Sequence, residues 1–150
     1  MSNIPSLARL LHDPAATGIF AVTKADTDNI LRAAAGSGFN VWQLDLSSAG
    51  NSAALLAIFG RSLHFPDWYG ENWDALADCL SDLSWCEAPG HVLLVRGTEN
   101  FLARDPHAFA KLLDILHDVC MIWREGGVAF WVLIDAKIDD IPALPARPHR

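Results

Sequence analysis

Apolar residues along the chain fall into short runs that alternate with helix-spaced sets. Residues 19–22 (Ile-Phe-Ala-Val) form a short run that predicts a buried strand. Asp26 or Thr27 is a candidate cap for a helix carrying Ile30, Leu31 and the alanines up to Ala35, stopped by Gly36 and Gly38. Residues 39–46 alternate: Phe39, Val41, Leu44 and Leu46 are apolar, and Trp42 is expected on the other face of a second strand. Ser52 is the candidate cap of a helix with Leu55, Leu56, Phe59 and Leu63 at helical spacing. Gly60 inside it weakens that helix by about 1 kcal/mol relative to alanine.

Residues 64–70 (His-Phe-Pro-Asp-Trp-Tyr-Gly) read as a loop, and 71–83 as a helix burying Trp73, Leu76, Ala77, Leu80 and Leu83. Pro89 and Gly90 turn the chain into a strand over 92–95. Asp105 and Pro106 start a helix as cap and first residue; Phe109, Leu112, Leu113, Leu116, Val119 and Trp123 follow, ending near Gly126 and Gly127. The continuous apolar run 128–134 suits a central parallel strand covered on both faces. Strands alternating with helices predict a single-domain α/β fold around a mostly parallel sheet. Residues 1–17 are expected to be a loosely attached lead-in. The tail 136–150, with Pro142, Pro145 and Pro148, is expected to be flexible.

Composition narrows the class. At 150 residues and 51% hydrophobic the chain is a globular domain, not a disordered or collagen-like one. No apolar run approaches the ~18 residues of a spanning helix. The first residues make a poor secretory signal. Cys79, Cys86 and Cys120 are odd in number and lack a CxxC pattern, so they read as reduced thiols of a cytoplasmic protein. No cofactor is expected: there is no GxxxxGK, and the Gly36-Ser37-Gly38 stretch follows a helix and is no dinucleotide fingerprint. No metal is expected either, because His12, His64, His91, His107, His117 and His149 show no HxxxH spacing.

Charge is the informative property. The net charge is −7, which argues against direct nucleic-acid binding. Between Arg61 and Arg96 there is no Lys or Arg, while Asp67, Glu71, Asp74, Asp78, Asp82 and Glu87 supply −6 of that total. Asp74, Asp78 and Asp82 are spaced i, i+4, i+8, and Glu71 extends the stripe on the expected helix. Like charges at that spacing repel by about 0.2–0.5 kcal/mol per pair. A local cost of this kind tends to mark function. Trp68 and Tyr69 precede the stripe, and rigid aromatics beside charge suit a protein interface. Carboxylates aligned on one convex face cannot flank a scissile bond, so a hydrolase reading is awkward. A cationic cleft on a protein partner has no such difficulty.

The segment 63–80, Leu-His-Phe-Pro-Asp-Trp-Tyr-Gly-Glu-Asn-Trp-Asp-Ala-Leu-Ala-Asp-Cys-Leu, resembles the barstar family, intracellular inhibitors of the bacterial ribonuclease barnase. The looser match runs from about Phe39 to near Ile134. Residues 1–38 would be an N-terminal addition able to extend the sheet, 39–135 the barstar-like domain and 136–150 the tail. The resemblance implies a small parallel sheet of three or four strands packed with helices. It also implies a basic ribonuclease as partner, its active site blocked by the acidic helix and the loop before it in imitation of RNA phosphates. By motif match, Asp78 takes the place of the central carboxylate and Asp74 of a second one. Trp68 matches the loop aromatic, Gly70 and Asn72 the residues that shape the surface, and Cys79 a structural cysteine. Ala77 stands at an interface position where a Trp is expected, and Asp82 adds a charge in place of Gly. Tyr69, Glu71 and Asp82 are further candidate contacts. The family's acidic contributor on the last helix aligns near Met121, with Asp118 one turn away as a candidate substitute. The alternative is an immunity module of the same fold directed at another basic protein or toxin nuclease.

Overall fold

The structure is a computed structural model that describes residues 7–138 and 141–144. Its elements run α1 (Leu7–Leu11), a 3-10 turn (Pro14–Ala16), β1 (Gly18–Ala21), α2 (Lys24–Gly36), β2 (Asn40–Asp45), α3 (Ser52–Ser62) and α4 (Trp73–Asp82). There follow β3 (Gly90–Arg96), α5 (Thr98–Arg104), α6 (Pro106–Glu125) and β4 (Ala129–Ile134). The strands form one four-stranded sheet in the order β1-β4-β3-β2. Every pairing is parallel, as in Gly18↔Trp131, His91↔Phe130 and Asn40↔His91.

This order explains the layers. The chain crosses the whole sheet from β1 to β2, then walks back through β3 to β4. Parallel crossovers are right-handed, so reversing the direction of travel changes the face that the helices cover. Accordingly α1 and α2 pack one face, burying Leu10, Leu11, Ile30 and Ala34 against Val92, Leu94, Trp131 and Leu133. The helices α3, α4, α5 and α6 pack the other, burying Phe59, Leu76, Leu80, Phe101, Leu112 and Leu116 against Leu93, Val95, Phe130 and Val132. Both faces of β3 and β4 are covered, which is why 92–95 within β3 and the whole of β4 are unbroken apolar runs.

Several details depart from the sequence expectation. The lead-in is not loose over its described part: Leu11 is fully buried, and its carbonyl accepts Trp131 Nε1–H at 3.1 Å. Thr17 is also buried, its hydroxyl oxygen accepting Phe130 N–H at 3.1 Å. Residues 1–6 lie outside the described residues. The run 19–22 is an edge strand, buried at Ile19 but only half-buried at Phe20 and Ala21. Thr23, not Asp26 or Thr27, caps α2, and Asp26 closes a reciprocal capping box with it. Asn51 rather than Ser52 caps α3. In β2, Trp42 shares a face with Leu44 and Leu46, while Phe39 and Val41 face the α2 layer, as the two-residue period of a strand requires. The expected cap Asp105 and first residue Pro106 of α6 are as read.

The helix α5 had no apolar periodicity to announce it. Its start is fixed from afar: Asp135 accepts from Gly97 N–H at 2.9 Å and from the Thr98 hydroxyl at 2.6 Å. Gly97 adopts a φ of +70° against the backbone of Ser47, where a Cβ would lie 2.3 Å from the Ser47 nitrogen. The tail does not hang free over its described part. Ala136 is buried, and Ile138 and Ile141 pack on the core. Ala21 N–H donates to Pro142 O at 2.8 Å and Leu144 N–H to Ala21 O at 3.1 Å, so this stretch lies parallel to β1. The rest of the tail, 139–140 and 145–150, is outside the described residues.

Candidate functional site

Helix α4 is shorter than the expected 71–83. Asn72 caps it, its side-chain oxygen accepting Ala75 N–H at 2.8 Å. Glu71 precedes the cap with a φ of +53°, so it stands off the helix and does not extend the stripe. Gly70 sits tightly behind the cap, where a Cβ would come 3.0 Å from Asn72 Nδ2. Leu83 ends the helix in the left-handed conformation. Leu76, Cys79 and Leu80 are fully buried, and Ala77 and Trp73 lie half-buried at the margin. Trp123 of α6 donates from Nε1 to Leu80 O at 2.8 Å, fastening the two helices together.

With that face anchored, Asp74, Asp78 and Asp82 are exposed along the other. Among the described residues none of these carboxylates, nor that of Glu71, has a hydrogen-bond or ion-pair partner. Cys79 lies beneath them, its thiol pushed up to about 11 by burial first and by Asp78 and Asp82 second. A thiol so protonated is no nucleophile at neutral pH.

The loop before α4 presents one aromatic and buries another. Trp68 is 56% exposed. Tyr69 turns inward: its hydroxyl donates to Leu56 O at 2.7 Å, and burial raises its pKa. Its ring lies on Gly60, where a Cβ would sit 2.7 Å from Tyr69 Cε2. The glycine that weakens α3 is therefore the seat of this ring. Tyr69 is a buttress of the loop, which leaves its hydroxyl unable to serve as a surface contact.

Sequence reasoning missed what supports Trp68. Trp85 meets its ring edge-on with centroids 6.2 Å apart, and Phe65 meets Trp85 at 6.1 Å and Tyr69 at 4.8 Å. Phe65 lies in a loop and Trp85 in a turn, outside any periodic pattern. Trp85 Nε1–H is buried without an acceptor among the described residues. An unmet donor costs about 1–3 kcal/mol and is unusual enough in a native core to need a reason. On α6, Asp118 is exposed, and so are Met121 at 49% and Ile122 at 50%.

A buried histidine lies behind the same layer. His91 is 2% exposed, stacked on Trp42 at 5.5 Å and 5.0 Å from the Trp123 ring. Its Nδ1 faces the Asn40 side-chain amide at 3.2 Å, and burial holds its pKa down to about 4. Among the described residues no cluster of His, Cys, Asp and Glu could hold a metal ion, and no helix is long and apolar enough to cross a membrane.

Several solved structures share the fold, two of them of ORC proteins. Drosophila ORC bound to DNA superposes with a TM-score of 0.53 at 18% identity, over 88% of this chain and 36% of that one. The Aeropyrum pernix ORC2 protein, in its ADPNP-ADP complexes, superposes with a TM-score of 0.58 at 19% identity, over 87% and 38%. This chain thus spans little more than a third of each, and the likeness is one of fold alone. No curated protein matches it. A family model described as Barstar (barnase inhibitor) matches residues 39–135, well over half of the chain and the whole of the acidic helix with its loop. The chain belongs to the barstar family.

Proposed function

We propose that the protein is an intracellular inhibitor of a basic ribonuclease of the barnase type, and not itself an enzyme. The observation that supports this best is the unpartnered row of Asp74, Asp78 and Asp82 on a helix whose opposite side is locked into the core. Fixed carboxylates on a rigid element can occupy positions where a ribonuclease would hold phosphates with Arg, Lys and His. Asp78, mid-row, enters the phosphate site, and Asp74 pairs with a second cation. Trp68 packs on the enzyme beside them, while Gly70 and Asn72 hold the loop and helix start in shape. Glu71 and Asp82 contribute field rather than close contact. The six acids between Arg61 and Arg96 steer encounter, so the association rate falls steeply with added salt. The DNA of the Drosophila ORC complex does not carry over to a chain of net charge −7.

One observation favours a target other than barnase itself. Ala77 offers little area, and exposed Met121 and Ile122 stand where an acid is expected. These fit an apolar patch on a related toxin nuclease, with this chain as its immunity protein.

The test uses a small basic ribonuclease from the same source. Asp78→Ala is expected to weaken the complex by about 2–5 kcal/mol in calorimetric titration while leaving the melting temperature unchanged. Intact binding with a lowered melting temperature would assign Asp78 to the fold instead.

A further inference from the structure

The carboxyl ends of β1, β3 and β4 converge on a crevice away from the acidic helix. The chain leaves β1 into α2 over one face of the sheet and leaves β3 into α5 over the opposite face. The two departures diverge around the end of β4. In open parallel sheets such a reversal opens a cleft beyond the strand ends, and ligands bind there. A cavity of about 300 Å³ occupies this point, lined by Lys24, Thr27, Asp28, Arg96 and Asp135.

Its frame is already tied together. Asp135 accepts from Gly97 N–H, Thr98 N–H and the Thr98 hydroxyl at 2.9, 3.3 and 2.6 Å, so both its oxygens are occupied. Val22 N–H donates to Ile134 O at 2.9 Å, and the Thr27 hydroxyl donates to Thr23 O at 3.0 Å. Hydrogen bonding from Ser47, including its N–H at 2.9 Å, holds the Asp45 pKa down, and the charge of Arg96 adds a smaller push the same way.

The cations are not tied. Arg32, Arg104 and Arg124 donate to oxygens of the protein. The side chains of Lys24 and Arg96 have no hydrogen bond or ion pair among the described residues, although Asp28 and Asp135 line the same cavity and the charge of Arg96 acts on Asp45. One cation comes from the β1 side and one from the β3 side, so an anion between them would be held from both.

We propose that this crevice binds a phosphate-type oxyanion between Lys24 and Arg96. Charge-assisted donors from two elements give such a site its strength, and the parallel sheet supplies the rigid base. Asp28 opposes the anion and sets how tightly it binds. The site is separate from the acidic helix, so it stands or falls independently of ribonuclease inhibition.

The experiment is thermal unfolding of the full chain in increasing inorganic phosphate, against chloride at equal ionic strength, with a parallel series in ADP. The expected result is a saturable rise in melting temperature that chloride does not reproduce. Lys24→Gln and Arg96→Gln should each weaken the apparent affinity by roughly tenfold, and Asp28→Asn should tighten it. All three positions are exposed, and their melting temperatures in chloride alone check that the variants fold. Protection by either anion that both cation variants diminish supports the site. The tighter of the two shows whether the phosphate is free or carried on a nucleoside. An equal rise in chloride, a response untouched by Lys24→Gln and Arg96→Gln, or weaker binding in Asp28→Asn would overturn it.

Discussion

Helix α2 carries Asp26 in its first turn, and α4 carries Asp74, Asp78 and Asp82 along one side. The two helices put their carboxylates to different uses. In α2, Asp26 accepts Thr23 N–H at 3.2 Å while the Thr23 hydroxyl oxygen accepts Asp26 N–H at 3.1 Å, so the acid completes the helix start. In α4 the cap is supplied by Asn72 alone. Asp74 gains from the positive end of the helix, but Asp82 lies at the negative end, where a carboxylate is disfavoured. A carboxylate that closes a cap is accounted for by stability. A row that repels itself and meets no partner among the described residues brings the helix no such stability.

Substitutions can break this contrast. The largest effect is expected at the anchor: Leu80→Ala should lose about 2–5 kcal/mol in chemical denaturation, because Leu80 is fully buried in the core beneath α4. A loss near zero would mean that the acidic row is not held by the core.

The next effect comes from the layer behind α4. His91 takes its proton near pH 4 when folded and near 6.5 when unfolded. Between those values the unfolded chain binds more protons, so stability falls as pH drops from about 6.5 to about 4 and levels off below. The loss is on the order of 3 kcal/mol. Melting curves across that range should show this slope in the wild type and a flatter one in His91→Gln.

Smaller still, Asp26→Ala should cost about 1 kcal/mol through the lost capping box. The smallest effect has the opposite sign: Asp82→Asn should raise stability by about 0.3 kcal/mol as the repulsion along α4 is relieved. If Asp82→Asn destabilised as much as Asp26→Ala, the two helices would not differ in the way described.

Much of this was legible in the chain because it rests on local periodicity. The unbroken run that became β4, the cap at Asp105 and the row 74–78–82 follow from patterns only a few residues long. The parts that escaped depend on distant partners. Gly60 reads as a weak point until the Tyr69 ring is seen on it. Helix α5 is seven residues long and begins where it does because Asp135, from the far end of the chain, holds Gly97 and Thr98. Asp26 or Thr27 reads as the cap from local sequence; Asp26 does serve the cap, but from three residues inside, and Thr23 is the cap itself. Trp68 is visible, with Tyr69, as an aromatic beside the acidic row, yet its brace, Trp85, lies in a turn with no spacing to betray it.

The strip of chain at 141–144 has a consequence for how molecules of this protein meet one another. Strand β1 would otherwise offer a row of bare amides and carbonyls, a template on which a second sheet could grow. Through Ala21, Pro142 and Leu144 the polypeptide hems that margin with its own backbone. Loss of this hem would free the end of β1 to stitch itself to a neighbouring chain, a first step toward aggregation.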